Sequence, residues 1–344
     1  MSEEAAESSE EHIRENFLGR LSHVGDVRLF VVEWGLIVFF LFMLALTQSF
    51  WFTDSYSVET FASGGTYTEA TLGKVNSLNP LFASTNSEKT LAKLMFLGLT
   101  ASDSSGHIGN VLAKSVRSDG SGKIWTVRLK DNLKWSDGEP LTNADVLFTA
   151  DLIKNPAVVS NFSSNLNRVT IREDGNGNII FELPASYAEF SSALDFPILP
   201  KHILENVDPA TLLESSFSSA PVTSGAFAYN ATQAVGTSGE SIVYLSANKN
   251  FYKGAPKVNS FVVHAYLSSE EIINAIKSGA VSATAELLPT DSAEVSSKLV
   301  YEKQTAINSG VFLFMNTKSG LLKNKTARKA IQTGLDVSEI RTLI

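Results

Sequence analysis

The chain of 344 residues contains no cysteine. This absence excludes a disulfide framework, a thiolate metal site, a cysteine nucleophile and a lipid-modified cysteine as the means of membrane attachment. The five histidines lie far apart, and none belongs to an HExxH motif or to another ligand pair on one helix face. The sequence therefore predicts neither a metal site nor a cofactor.

Positive charge is also scarce. Lys and Arg number 28 against 36 Asp and Glu, which gives a formal net charge of -8 and a pI near 5.3. Nucleic-acid binding would need a basic surface that replaces the counterions on phosphates, so it is excluded as a function. The 44% hydrophobic content is that of a folded protein, and the length suits one large or two modest globular units.

Three glycine-containing segments lack the residues that catalytic or ligand motifs require. In Ser118–Lys123 (SDGSGK) a phosphate-binding loop would need glycine in place of Arg117 and a hydroxyl residue in place of Ile124. Asp174–Asn178 alternates oxygen ligands as a calcium loop does, but the glycine and glutamate further along that loop are missing. Gly236–Glu240 does not complete GxSxG, because its fifth residue is glutamate. The sequence predicts no catalytic residues and no enzyme.

One long apolar run is present near the N-terminus. Trp34–Phe52 contains 19 uncharged residues, and Leu29–Val32 extends the run to the length that a helix needs to cross a bilayer. A buried core helix and a cleaved signal peptide are the alternatives. The 28 mostly polar residues ahead of the run are long for a signal peptide and favour an uncleaved transmembrane anchor.

The basic residues that flank this run predict its orientation. Arg14, Arg20 and Arg28 precede it, whereas the first basic residue beyond it is Lys74. Because lysine and arginine collect on the cytoplasmic side, the N-terminus is expected in the cytoplasm and the body outside it. The predicted localisation is a single-pass protein of the cell membrane, held in the lipid bilayer by this helix.

Beyond Thr66 the hydrophobic pattern alternates between strand and helix periods, which predicts an α/β body. Two hairpins are predicted, one pairing residues 113–117 with 123–129 and the other pairing residues 169–173 with 178–183. Thr142 with Asp145, and Ser268 with Glu271, form capping boxes at the starts of two helices. A third helix is predicted from about Glu88.

The segment Lys130–Phe148 (KDNLKWSDGEPLTNADVLF) closely resembles the signature segment of the family 5 extracellular solute-binding proteins. That family includes dipeptide-, oligopeptide- and nickel-binding components of ATP-driven importers. Further blocks that resemble the family follow its order, over a stretch that runs from Thr66 to the end of the sequence: Ser77–Pro80 (SLNP), Ile198–Leu204 (LPKH region), Pro221–Phe227 (PVTSGAF), Asn248–Pro256 (NKNFYKGAP), Ala275–Gly279 (AIKSG) and Phe314–Thr317 (FMNT).

The resemblance implies an α/β, two-lobed clamp of the periplasmic-binding-protein type (type II, large peptide-binding class) that closes on its ligand. Because family members are longer than this chain, it also implies a C-terminal truncation that leaves the second lobe incomplete. The expected organisation is: 1–28, disordered acidic cytoplasmic tail; 29–52, transmembrane anchor; 53–65, linker; 66–306, lobe I; 307–344, start of lobe II.

The function implied by the resemblance is capture of a peptide or similar solute and its delivery to permease subunits with a cytoplasmic ATPase. Nickel chelates and oligosaccharides remain open as ligands. The candidate cleft residues are Phe82, Ala83, Ser84, Thr85 and Asn86 after the Asn-Pro pair, the Ser224–Gly225 turn, and Asn316. The alternative is a membrane-tethered sensory or interaction module without transport; an extracytoplasmic hydrolase would need a nucleophile and a base that the sequence does not reveal.

Overall fold

The computed structural model describes residues 28–56, 63–103, 105–236, 239–288, 291, 294–295, 300–301 and 313–336. Residues 1–27 of the predicted cytoplasmic tail, the middle of the predicted linker and the predicted junction between the lobes near Asn308 lie outside these residues. The strands are β1 Thr66–Leu72, β2 Thr100–Ser102, β3 Ile108–Asn110, β4 Ala113–Ser118, β5 Ile124–Leu129, β6 Thr170–Glu173, β7 Asn178–Glu182, β8 Phe227–Val235, β9 Glu240–Ala247, β10 Ser260–Tyr266 and β11 Ala283–Thr284.

Helices lie between and around these strands. The α-helices are α1 Arg28–Tyr56, α2 Asn86–Met95, α3 Asn143–Lys154, α4 Ser163–Leu166, α5 Lys201–Leu204, α6 Ser269–Ser278 and α7 Lys325–Gly334. Short 3-10 helices cover Pro80–Phe82, Phe190–Asp195, Pro209–Glu214, Ser216–Ser218 and Leu321–Lys323.

Helix α1 contains the predicted anchor. Within the described residues, the stretch Phe30–Ser49 is the one helix long and apolar enough to cross a bilayer, and its side chains are not buried against the body. The helix continues to Tyr56, past the predicted end of the anchor at residue 52. No glycine or proline stands between Thr53 and Tyr56 to end it earlier.

A mixed five-stranded sheet in the order β11-β1-β10-β9-β8 forms the first half of the body. Strand β1 runs parallel to both β10 and β11, whereas β9 runs antiparallel to each of its neighbours, β10 and β8. Helix α6 covers one face, where Ala70 packs in a small core with Ile272, Ala275 and Val281. The opposite face joins the main core of the body through Val243 and other buried residues.

An antiparallel four-stranded sheet in the order β4-β5-β7-β6 forms the second half. Both predicted hairpins are confirmed, since β4 pairs with β5 and β6 with β7. Trp125, Val127 and Leu129 alternate along β5 and point into the main core, because side chains two residues apart lie on the same face of a strand. Trp135, which follows β5 in the signature segment, is fully buried.

The predicted starts of α3 and α6 are confirmed, and α2 starts earlier than predicted. The Asp145 carboxylate accepts the Thr142 backbone N–H at 2.8 Å, and the Glu271 carboxylate accepts that of Ser268 at 3.1 Å. Helix α2 begins at Asn86, two residues before the predicted start. A further capping box, formed by a threonine and a glutamate three residues later, explains this earlier start.

Candidate ligand-binding edge

The parallel strands β1 and β11 end at the same edge of the five-stranded sheet. In α/β sheets, ligands bind outside the carboxyl ends of such strands. Here the first turn of α2 lies against that edge: the Ser87 hydroxyl donates to the Gly73 carbonyl at 2.7 Å and the Thr85 hydroxyl to the Lys74 carbonyl at 2.9 Å. The Asn86 amide donates to the Glu286 carboxylate, just after β11, at 2.8 Å.

Glu88 fixes the chain segment that precedes α2. Its buried carboxylate accepts the backbone N–H groups of Asn76 at 2.8 Å, Ser84 at 2.8 Å and Thr85 at 3.1 Å. It also accepts the Ser84 hydroxyl at 2.9 Å. Burial opposes ionisation of Glu88, but these hydrogen bonds favour the charged form and hold its pKa below the ordinary value. One ionised, buried side chain therefore holds the segment 82–86 in place through hydrogen bonds.

A second loop holds the same segment from its other end. Asn161 donates its side-chain amide to the Ala83 carbonyl at 2.9 Å and its backbone N–H to the Leu81 carbonyl at 3.3 Å. Two residues earlier, Val159 has a φ of 47° and is 80% exposed, between the buried residues Val158 and Ser160. A β-branched residue in the left-handed region is strained, and strain of this kind concentrates at functional sites.

The exposed side of this edge is acidic. Glu69, on β1, is partly buried, and its pKa is raised first by burial and then by the neighbouring charge of Glu286. The Asn86 amide donates to Glu286, so the amide and this carboxylate lie together beside the strand ends, while Glu69 lies within β1 near enough to feel the charge of Glu286. This arrangement suits a ligand that brings N–H donors or a positive charge.

The predicted loop residues occupy distinct positions around this edge. Phe82 ends a 3-10 helix and packs against the main core, and Ala83 is buried. Ser84 and Asn86 are exposed, whereas Thr85 is the N-cap of α2. The segment was predicted as a loop, but it joins two helical turns. Ser84 and Asn86 are its most accessible members, and contact of the segment with ligand stays a prediction.

The predicted turn Ser224–Gly225 lies at the opposite end of α2 and is buried. Both of its backbone N–H groups donate to the Met95 carbonyl, at 3.0 Å and 2.7 Å, and the Ser224 hydroxyl accepts the Leu97 N–H at 3.1 Å. A Cβ added to Gly225 would lie 2.4 Å from the Leu94 carbonyl oxygen, so only glycine fits. These bonds fasten the C-terminal end of α2 to the body.

Asn316 lies in the described range 313–336 and is exposed. Its side-chain oxygen accepts the Lys318 N–H at 3.0 Å and its carbonyl accepts the Ser319 N–H at 3.1 Å, so these bonds shape its own turn. Its predicted role in ligand contact therefore stays a prediction.

Four residues at the edge were missed from the sequence: Glu69, Val159, Asn161 and Glu286. A signal existed for Glu69, because a charged residue inside the strand TYTEATL interrupts its apolar face. The other three lie in loops whose positions depend on contacts far along the chain, such as the 200-residue separation between Asn86 and Glu286. Only the folded structure brings them together.

Solved structures of substrate-binding proteins share this fold. The chain superposes on the oligopeptide-binding protein AppA of Bacillus subtilis, solved with a nonapeptide, with a TM-score of 0.59 and 24% identity, covering 64% of this chain and 44% of that one. It matches NikZ of Campylobacter jejuni, solved with Ni(L-His), with a TM-score of 0.63 and 24% identity, covering 80% and 54%. The predicted fold class, an α/β fold of the periplasmic-binding-protein type, is confirmed.

The sequence comparisons give the family. The model for bacterial extracellular solute-binding proteins, family 5 Middle, matches residues 107–344, and the chain belongs to this family, as its motifs predicted. The curated AppA of Bacillus subtilis is 26% identical over 283 residues, which cover 80% of this chain and 51% of AppA. A dipeptide-binding protein of Lactococcus lactis is 28% identical over 172 residues, covering 45% of this chain and 31% of that protein. The chain spans about half the length of AppA and a smaller share of the Lactococcus lactis protein.

Proposed function

We propose that this chain is the extracytoplasmic substrate-binding subunit of an ABC importer and that it captures peptides. The observation that carries the proposal is the open edge where β1 and β11 end beside the first turn of α2, in a chain of a solute-binding family. Relatives that bind oligopeptides and dipeptides support the choice of peptide over nickel chelate or oligosaccharide. The alternative, a sensory or interaction module without transport, is not favoured by these relatives.

Capture at this edge is noncovalent. Glu286 and Glu69 accept N–H groups or the amino group of a peptide, and the exposed groups of Ser84 and Asn86 face the main chain. Recognition of the main chain tolerates many side chains and suits a broad range of peptides. The proposed function requires no bond to be made or broken, so the chain acts without catalytic residues, a cofactor or a metal.

The proposed setting is the outer face of the cell membrane. Helix α1 crosses the bilayer with its N-terminus in the cytoplasm, as the arginines before it and the exposed apolar stretch Phe30–Ser49 support. The body then lies beside the importer, where it passes the peptide to permease subunits driven by a cytoplasmic ATPase. Permanent anchoring restricts the body to the two-dimensional surface on which the permease also lies.

Native mass spectrometry of the full chain in detergent, incubated with a pool of tri- to nonapeptides, tests the proposal. We expect discrete added masses that correspond to peptides. A Glu286→Gln variant should bind the same peptides about tenfold more weakly, because a charge-assisted hydrogen bond contributes roughly 1.5 kcal/mol or more. Glu270→Gln removes an equal charge from the start of α6 and serves as the matched control.

A chain that stays bare in the presence of the whole pool would contradict peptide capture by this chain. If Glu286→Gln and Glu270→Gln weaken peptide binding equally, the chain binds peptides, but the binding site is not the proposed edge. Retention of a nickel chelate or an oligosaccharide in place of a peptide would redefine the ligand class.

A further inference from the structure

The body begins beside a loop that is rich in lysine. The Gly64 N–H donates to the Lys257 carbonyl at 2.7 Å, and β1 then pairs with β10 from Thr66 and Ser260 onward. Helix α1 ends at Tyr56, so at most about 28 Å of extended chain separates its end from Gly64. Wherever α1 is anchored, this tether keeps the loop next to Gly64 within reach of the surface of the same membrane.

This lysine loop, Lys249–Lys257 (KNFYKGAPK), concentrates positive charge in an acidic protein. Lys249, Lys253 and Lys257 are all exposed. No aspartate or glutamate occurs in the sequence between Glu240 and Glu270, although acids outnumber bases over the whole chain. The loop is thus a local reversal of the chain's net charge of -8.

A fourth lysine joins the loop from a distant part of the sequence. The Lys130 ammonium lies 4.3 Å from the centre of the Tyr252 ring, and the Lys253 ammonium lies 5.6 Å from the same centre. Lys130 also donates to the Val111 carbonyl. Burial, and then the nearby positive charge of Lys253, lowers the pKa of Lys130.

These four lysines have no acidic partners in the described parts of the chain, where no carboxylate oxygen comes within 4.0 Å of their nitrogens. The neighbouring Lys114, by contrast, is paired with Asp131 at 2.8 Å. The loop itself is held in place, because the Asn248 amide donates to the Gly225 carbonyl at 2.8 Å and the Asn250 amide to the Trp135 carbonyl at 3.0 Å. It presents unpaired positive charge from a fixed backbone.

We propose that the lysine loop docks onto anionic phospholipid headgroups of the membrane in which α1 is anchored. The proposal rests on the membrane-spanning role of α1 and not on peptide capture. The short tether keeps the loop near the bilayer, and lysines near an anionic surface are each attracted to it by roughly fivefold in binding constant. Phe251 is partly exposed within the loop and suits the interfacial depth that aromatic side chains occupy, whereas Tyr252 packs against the main core. Docking would set the orientation of the body above the bilayer.

The absence of native cysteine makes a direct test possible. Ala255→Cys, at an exposed position inside the loop, accepts a single fluorescent donor without removing a lysine. The labelled full chain is reconstituted into vesicles that carry a lipid-linked acceptor, made either of phosphatidylcholine alone or with about a third of phosphatidylglycerol. We expect stronger energy transfer in the anionic vesicles, and its loss at high salt, because the Debye length falls to about 3 Å at 1 M.

The charge variant replaces Lys249, Lys253 and Lys257 by glutamine and should lower the docked-to-undocked ratio by on the order of 100-fold, from three independent contributions. The control replaces the exposed residues Lys89, Lys93 and Lys123 by glutamine and changes the net charge equally. It should leave energy transfer unchanged. Inorganic phosphate at 10 mM, with ionic strength held constant, should not abolish the difference between the two kinds of vesicle.

Equal energy transfer in neutral and anionic vesicles would overturn the proposal, as would equal losses in the two triple variants. Loss of transfer on adding phosphate alone would assign the lysines to a free anion and not to lipid. If the chain does not co-float with neutral vesicles in a density gradient, α1 is not a membrane anchor and the docking proposal fails with it. The peptide-binding experiment in detergent does not depend on that result.

Discussion

The two ends of helix α2 are built from the same kinds of groups but have opposite accessibility. At its N-terminal end, Ser84 and Asn86 are exposed beside the Glu286 carboxylate. At its C-terminal end, Ser224 and Gly225 are buried, and their backbone N–H groups both donate hydrogen bonds to the Met95 carbonyl. The ends are only about 15 Å apart, since a helix of ten residues rises about 1.5 Å per residue.

This difference in accessibility distinguishes residues that hold the fold together from residues that can contact a ligand, although both kinds occur in the same family motifs. The sealed end joins α2 to the rest of the body, and a ligand that used its polar groups would have to displace existing hydrogen bonds. At the open end Ser84 and Asn86 also form hydrogen bonds, to Glu88 and Glu286, but both residues are exposed, so a ligand can reach them without entering the core. A residue in a family motif can therefore serve either task, and its accessible hydrogen-bonding groups decide which.

The largest expected effect comes from breaking the support beneath the open end. Glu88→Gln keeps the shape of the side chain but removes the charge and replaces one carboxylate oxygen by an NH₂ donor, which then faces either the Asn76 N–H or the N–H groups of Ser84 and Thr85. We expect a loss of about 4 kcal/mol in the free energy of unfolding at pH 7, because buried charged hydrogen bonds are lost together. Urea unfolding of the detergent-solubilised chain, followed by tryptophan fluorescence, measures it.

The pH dependence of the same variant identifies the cause. The pKa of Glu88 is lowered from 4.5 in the folded state, so its charge stabilises the fold above about pH 4.5 and that stabilisation is lost as the pH falls through the folded pKa. The difference between wild type and Glu88→Gln should therefore shrink in acid. A difference that stays constant from pH 7 to pH 3 would mean that packing, and not ionisation, supports the segment.

The next effect comes from the sealed end. In Gly225→Ala the new Cβ would lie 2.4 Å from the Leu94 carbonyl oxygen and 2.6 Å from the Met95 carbonyl carbon, and backbone atoms cannot move aside as a side chain can. We expect a loss of about 3 kcal/mol in the same unfolding assay, typical of overpacking. Gly320→Ala, where nothing lies within 4 Å of the added atom, should change stability by less than about 0.5 kcal/mol. Similar losses in both variants would contradict the close approach.

Local sequence rules predicted much of this scaffold. The capping boxes at Thr142 and Ser268 and the two hairpins depend on residues close together in the chain, and each is confirmed. The box at Thr85 followed the same rule and was missed, although Glu88 stands three residues later. The Asn79–Pro80 pair just before this segment favours a loop, which is the structure that the sequence predicted for residues 82–86.

The candidate site was harder to predict, for a physical reason. The contact of Asn86 with Glu286 and that of Asn161 with Ala83 join segments 200 and 78 residues apart. Such contacts depend on strand order and on the packing of α2 against the sheet, which no local pattern specifies. The family motifs supplied the fold and a list of candidate residues, but accessibility within that list is a property of the folded chain.

The smallest expected effect lies beside the open end, where it should have the opposite sign. Val159→Asn places at φ 47° a residue that tolerates the left-handed region, as Asn132 does here at φ 58°. We expect a gain of about 1 kcal/mol in the free energy of unfolding, while Val159→Thr, which stays β-branched, should give none. If peptide affinity falls in Val159→Asn although stability rises, the strained valine contributes an apolar contact to the ligand. Unchanged peptide affinity would mean that the strain at Val159 serves only the loop and that Val159 does not contact the ligand. The proposed binding edge would then consist of residues 84–86 and the two carboxylates.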